Sequence, residues 1–167
     1  MDIDTICTFL ESTGKLLKDY EADGVSHISN AEVLTCECDV LVPAALENQI
    51  TADNASELRC KYIVEAANGP TTEEADKILE KRGITVVPDI FANSGGVIVS
   101  YFEWVQNIQE LTWEREQVND MLEKLMTKAF AALYETAQEK HCTLRMGAYV
   151  VALQRLIDAE VIKGLFP

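Results

Sequence analysis

The sequence predicts an α/β fold, one half of a doubly wound parallel sheet followed by packed α-helices, and three observations carry that prediction. Three short runs, 39–45, 62–67 and 84–88, are β-branched, bounded by turn residues and apolar on both faces, as buried parallel strands are. They recur about every 22 residues with helix-forming sequence in each gap, which is the order of a βαβαβ array. After the third run the apolar residues switch to helical spacing and hold it as far as Ile162.

The elements follow in order. Asp4 is placed to cap a helix bearing Ile6, Phe9 and Leu10 that ends near Gly14. Residues 15–34 show no sustained period and read mostly as loop. Thr51 is expected to cap a helix over 52–58, between the first two strands. Thr71 and Glu74 offer a capping box for a helix carrying Ala75, Ile78 and Leu79, with Gly83 as its stop. A helix from Ser100 to Ile108 follows the Gly95-Gly96 pair, and a long amphipathic one runs from Val118 to Ala137. The last, Leu144 to Ile162, carries Met146, Tyr149, Val150, Leu153 and Ile157 on one face, and the methionines of these stripes read as core.

Composition narrows the function. A chain of 167 residues with 48% apolar and 25% charged side chains has enough core for one domain, with or without a small appendage, and is too apolar for disorder. Its 28 acidic against 14 basic residues give a net charge of −14, which argues against nucleic acid and against an anionic membrane surface as partners. No run approaches the roughly 18 apolar residues of a spanning helix. The acidic start Met1-Asp2-Ile3-Asp4 shows no secretory signal. Five scattered cysteines fit free thiols, so a cytoplasmic location is expected. Cys36-Glu37-Cys38 lacks a second ligand pair at suitable spacing, so no metal is expected. His27 and His141 lie in polar segments and read as surface residues.

Ligands of open parallel sheets bind at the carboxyl ends of the strands. Here those ends carry Ala44-Ala45, then Asn68-Gly69, then Asn93-Ser94-Gly95-Gly96. Small residues let a ligand approach the backbone, and an asparagine offers the donor and acceptor that match a carboxamide. Either asparagine alone could serve only its own turn, but three suitable ends on one rim weigh toward a site. Val97 and Ser100 share a helix face, and a hydroxyl beside free helix N–H groups would suit a carboxylate, although a satisfied helix serine explains the spacing equally well. No G-x-G-x-x-G turn is present to cradle a pyrophosphate.

The stretches Pro43-Ala44-Ala45-Leu46-Glu47-Asn48, Glu65-Ala66-Ala67-Asn68-Gly69-Pro70-Thr71-Thr72 and Asn93 to Trp104 resemble glutamate dehydrogenase, within the glutamate, leucine, phenylalanine and valine dehydrogenase family. The resemblance runs in order from about Asp2 to Ile162. It implies the C-terminal portion of a Rossmann-like NAD(P)-binding domain, its βαβαβ core at about 39–90 and its helical segment at about 97–163. It implies NAD or NADP bound at Ala44, Ala45, Asn68 and Asn93, and the glutamate side chain at Val97 and Ser100, the serine bonding the distal carboxylate. The family reaction takes L-glutamate, NAD(P)⁺ and water to 2-oxoglutarate, ammonia and NAD(P)H, commonly in a homo-hexamer. The family's catalytic lysine and aspartate belong to a substrate domain with no counterpart in these residues, so none is assigned and the chain alone is expected not to turn over. Two other readings stay open: an inactive nucleotide-binding or subunit-interaction module, and a dehydrogenase of another amino acid. In strand order 3-2-1-4-5-6 these strands are the 4-5-6 half, which leaves the strand at Asp39 as an open apolar edge and the isolated chain prone to self-association.

Overall fold

A computed structural model of the chain describes residues 2–164. The chain divides into two compact units, Met1–Leu34 and Thr35–Pro167. In the first, helix α1 (Ile3–Thr13) buries Ile6 and ends at Gly14. Its cap is Asp2, not Asp4: the Asp2 carboxylate accepts the N–H groups of Asp4 and Thr5 and the Thr5 hydroxyl at 2.6 Å. Asp4 falls in the first turn instead, where its charge suits the helix dipole. The expected loop follows, with a short 3₁₀ turn at Leu17–Asp19 and Phe9 edge-on to Tyr20 at 5.1 Å. A six-residue helix that the sequence pattern does not announce, α2 (Asn30–Thr35), runs across the division.

The second unit is built on a parallel sheet in the order β1 (Val40–Leu41), β2 (Tyr62–Val64), β3 (Thr85–Val87). The register pairs Leu41 with Ile63 and Ile63 with Val86. The strands are shorter than the apolar runs for a local reason. Pro43 and Pro88 have no N–H to give the ladder, and the N–H of Asp89 turns to the Glu65 side chain at 2.8 Å. Beyond Leu41 the first run still tracks the second: Asn48 N–H meets Gly69 O and Ile50 N–H meets Pro70 O, both at 2.9 Å.

One face of the sheet is the core. Ile50, Ala55, Leu58, Ile63, Ala75 and Leu79 are fully buried, each large side chain contributing about 1.5–3 kcal/mol. The crossover between the parallel strands β2 and β3 is α3 (Glu73–Lys81). Its cap is Thr72, whose hydroxyl accepts the Ala75 N–H and whose own N–H donates to Ile50 O at 2.9 Å. No helix forms over 52–58. The segment is a run of turns in which the Asn54 side chain accepts the Thr51 N–H and donates to Gln49 O, while the Arg82 guanidinium donates to the carbonyls of Ala55 and Leu58. The opposite face is open, with Val40 and Tyr62 about half exposed.

After β3 come α4 (Asp89–Ala92), α5 (Ser94–Gln109), α6 (Arg115–Lys140) and α7 (Leu144–Lys163). Gly95 and Gly96 lie inside α5, not ahead of it, and Gly95 sits where a Cβ would touch Leu122 of α6 at 3.7 Å. The helices α6 and α7 pack through small residues: Gly147 and Ala148 are buried, as are Leu133 and Ala137. The stripe of α7 expected to be core therefore faces outward. Met146, Tyr149, Leu153 and Ile157 are each about half exposed and only Val150 of the stripe is partly buried, as are Met121 and Met126 of α6. His27 and His141 are exposed. No helix of the described residues is long and apolar enough to cross a membrane, and among them no cluster of His, Cys, Asp and Glu is arranged to hold a metal ion.

Candidate functional site

The carboxyl ends of the three strands converge on one rim. The Pro43 carbonyl accepts the N–H groups of Ala66 (3.1 Å) and Ala67 (2.9 Å), so Ala44 and Ala45 leave the sheet beside the turn that carries Asn68, and both are exposed. That turn needs Gly69, whose φ of 54° is left-handed. Its N–H donates to Asp89 Oδ2 at 2.8 Å, which fastens the second strand end to the third. Asn93 caps the junction of α4 and α5, and its Nδ2 donates to Asn68 Oδ1 at 2.7 Å. The two asparagines therefore form one amide pair, with Asn68 Nδ2 and Asn93 Oδ1 making no other hydrogen bond among the described residues.

Along α5, Asn93, Val97 and Ser100 fall at i, i+4 and i+7, on one side of the helix. Val97 is 68% exposed and Ser100 is exposed. The helix starts at Ser94, so Ser100 stands nearly two turns in. Free backbone N–H groups do not adjoin its hydroxyl, and any anion it holds is held by the hydroxyl itself and not by a helix terminus.

Behind the rim lies a group that sequence reasoning missed. Glu65, fully buried, follows β2 on the core side of the strand. Arg145, in the first turn of α7, donates to both its oxygens, Nη2 to Oε1 at 2.7 Å and Nη1 to Oε2 at 3.0 Å. The same guanidinium reaches Asp76 of α3 through Nε at 3.0 Å and Asp89 of α4 through Nη1 at 3.4 Å. Burial opposes its charge, but donation to Glu65 and Asp76 outweighs that and raises its pKa above the ordinary arginine value. Glu65 and Asp89 also accept the Asp89 and Gly69 N–H groups, which disperses the surplus of negative charge. A run of hydrogen bonds thus links Arg145 through Glu65 and Asp89 to the Asn68-Gly69 turn. The available signal was an acid at position 65 in register with Ile63 and Ala67, since a carboxylate on a buried face requires a cation.

A hollow of ≈ 670 Å³ adjoins this cluster, between β3 and the α6–α7 pair, lined by Arg145 and Asp76 together with Tyr62, Thr85, Phe130 and Tyr134. Ala44, Ala45, Asn68, Asn93, Val97 and Ser100 do not line it. The rim is a shallow, open surface whose polar groups converge, and its chemistry, not its volume, marks it.

Comparison with known proteins places the chain in a family. The profile of the Glutamate/Leucine/Phenylalanine/Valine dehydrogenase family matches residues 1–164. The chain is 46% identical over 164 residues to the cryptic catabolic NAD-specific glutamate dehydrogenase GudB of Bacillus subtilis, covering 98% of this chain and 38% of that protein. It is 44% identical to the NAD-specific glutamate dehydrogenase of Staphylococcus aureus, covering 98% of this chain and 39% of that one. Among solved structures, the hetero-hexameric glutamate dehydrogenase of Thermus thermophilus superposes with a TM-score of 0.86 at 33% identity, over 100% of this chain and 38% of that chain. The enzyme of Peptoniphilus asaccharolyticus does so with a TM-score of 0.79 at 36% identity, over 99% and 36%. The chain thus spans under two fifths of the length of these relatives. On sequence and fold together, the chain belongs to the glutamate/leucine/phenylalanine/valine dehydrogenase family.

Proposed function

We propose that this chain supplies the nicotinamide-facing and side-chain-facing surfaces of an NAD-dependent glutamate dehydrogenase, the remaining parts of the active site lying outside its 167 residues. In this reading 39–90 and 97–163 are the core and the helical segment of a partial NAD(P)-binding domain. The reaction is L-glutamate, NAD⁺ and water to 2-oxoglutarate, ammonia and NADH. The observation that carries it is the asparagine pair. After the 2.7 Å bond between Asn93 Nδ2 and Asn68 Oδ1, what remains is one NH₂ group and one carbonyl oxygen, the complement of a primary carboxamide.

The residues present fit a nicotinamide. Asn68 Nδ2 would donate to its carboxamide oxygen, Asn93 Oδ1 would accept from its amide, and the small Ala44-Ala45 end leaves room for the ring and ribose. When bound, that group supplies the hydride acceptor for the α-carbon. The side chains here hold and orient: Val97 packs against the aliphatic part of the substrate, and the Ser100 hydroxyl donates to the distal carboxylate. The choice of NAD is supported by the NAD-specific relatives, and a hexameric assembly by the hetero-hexamer of Thermus thermophilus.

The test uses the Bacillus subtilis relative with its matching 164 residues replaced by this chain. Losing a hydrogen bond to a charged group costs about 1.5–3 kcal/mol, or roughly 10- to 100-fold in rate. Ser100→Ala is expected to lower kcat/KM for glutamate by that factor while leaving norvaline, which lacks the distal carboxylate, within about twofold. Equal losses on both substrates, in a protein of unchanged melting temperature, would remove Ser100 from the site.

A further inference from the structure

Cys38 and Cys60 enter the first two strands at the end of the sheet away from the rim. The bridge between Glu37 and Arg59 and the ladder pair Val40–Tyr62 keep one constant offset, so the same register sets Cys38 opposite Cys60. The Cys38 N–H donates to Arg59 O at 3.3 Å, and the next pair in register, Asp39 and Lys61, is joined at 2.7 Å. Neighbouring parallel strands stand about 4.8 Å apart, inside the Cα separation of roughly 4.4–6.8 Å that a disulfide spans. Both thiols are free and partly buried. Burial first, and then the charge of Cys38, pushes the Cys60 thiol above its ordinary pKa.

We propose that Cys38 and Cys60 form an oxidisable dithiol, a modification site at which a peroxide closes an intrachain disulfide. Cys60, held protonated by its surroundings, acts second. The Cys38 thiolate attacks one peroxide oxygen, the O–O bond breaks and water leaves, giving a sulfenic acid. The Cys60 sulfur then attacks the Cys38 sulfur, the S–S bond forms, and the sulfenic oxygen departs as a second water. Two thiols lose two electrons and two protons, and one peroxide is reduced to two waters. The bond would tie the entry of the edge strand β1, which has only two ladder residues, to β2.

The sequence allows a clean assay. Cleavage at glutamate separates Cys36 (33–37) from Cys38 (38–47) and from Cys60 (58–65). The full chain is treated with one equivalent of hydrogen peroxide, the remaining thiols are alkylated, and the digest is mapped by mass spectrometry. The expected product is 38–47 linked to 58–65, split by dithiothreitol, with Cys7, Cys36 and Cys142 recovered alkylated. Cys38→Ser and Cys60→Ser each abolish it, and Cys36→Ser leaves it intact. The oxidised chain is expected to melt about 5–10 °C higher. Recovery of Cys38 and Cys60 as separate alkylated or over-oxidised residues overturns the proposal, as does a link through Cys36 or one formed only between chains.

Discussion

Arg145 shows how a single residue holds the rim from behind. Its guanidinium is 21% exposed and meets a wholly buried carboxylate, so removing it strands Glu65 in the core without a partner. Breaking a buried pair from one side costs about 3–5 kcal/mol, while replacing both members with apolar groups is often close to neutral. Arg145→Leu is therefore expected to lower the free energy of urea unfolding by about 3–5 kcal/mol, and Glu65→Leu added to it to recover most of that loss. A double variant as unstable as the sum of the single ones would show that the two do not act as a pair. At this scale the sequence was half legible. Asn68 and Asn93 stand out only because they fall with Ala44-Ala45 at three strand ends on one rim; either alone could serve its own turn. Arg145 does not, because its partners lie in β2, α3 and α4 and are gathered only by folding.

The elements were legible where the signal was local and lost where it was not. All three strands lie within their apolar runs, α6 extends three residues beyond the expected span at each end, and α7 keeps its expected span to within one residue. The misplacements have tertiary causes. Thr72 caps α3 with its own N–H held by the Ile50 carbonyl, and 52–58 forms turns in which the Asn54 side chain bonds Thr51 and Gln49 while Arg82, at the end of α3, ties down the Ala55 and Leu58 carbonyls. The buried side of α7 was misread because hydrophobicity pointed to its large residues, whereas close approach to α6 selects its small ones. A Cβ at Gly147 would stand 2.8 Å from the Leu133 carbonyl oxygen and 3.0 Å from Ala137 Cβ. In an open helix, Gly→Ala stabilises by about 1 kcal/mol. Here the clash is with backbone and prevails, so Gly147→Ala is expected to cost about 1–2 kcal/mol net and lower the melting temperature. A rise on calorimetry would mean that α6 and α7 part without penalty.

At the scale of the whole molecule, every candidate site residue falls in the unit Thr35–Pro167. The surfaces that look unfinished lie there too. Val40 and Val42 at the β1 edge, Val97, Tyr101 and Trp104 on α5, and Leu156 and Val161 on α7 are all between 48% and 72% exposed. That exposure fits a chain spanning 38% of the length of its Bacillus subtilis relative. The most direct measurement is glutamate-dependent formation of NADH by that relative carrying this chain in place of its own 164 matching residues. The proposed role predicts turnover that requires both glutamate and NAD⁺ and falls at least tenfold when Asn68 and Asn93 are both changed to alanine, about the loss of one charged or two neutral hydrogen bonds. A folded hybrid that forms no NADH, or one indifferent to the two asparagines, would contradict it.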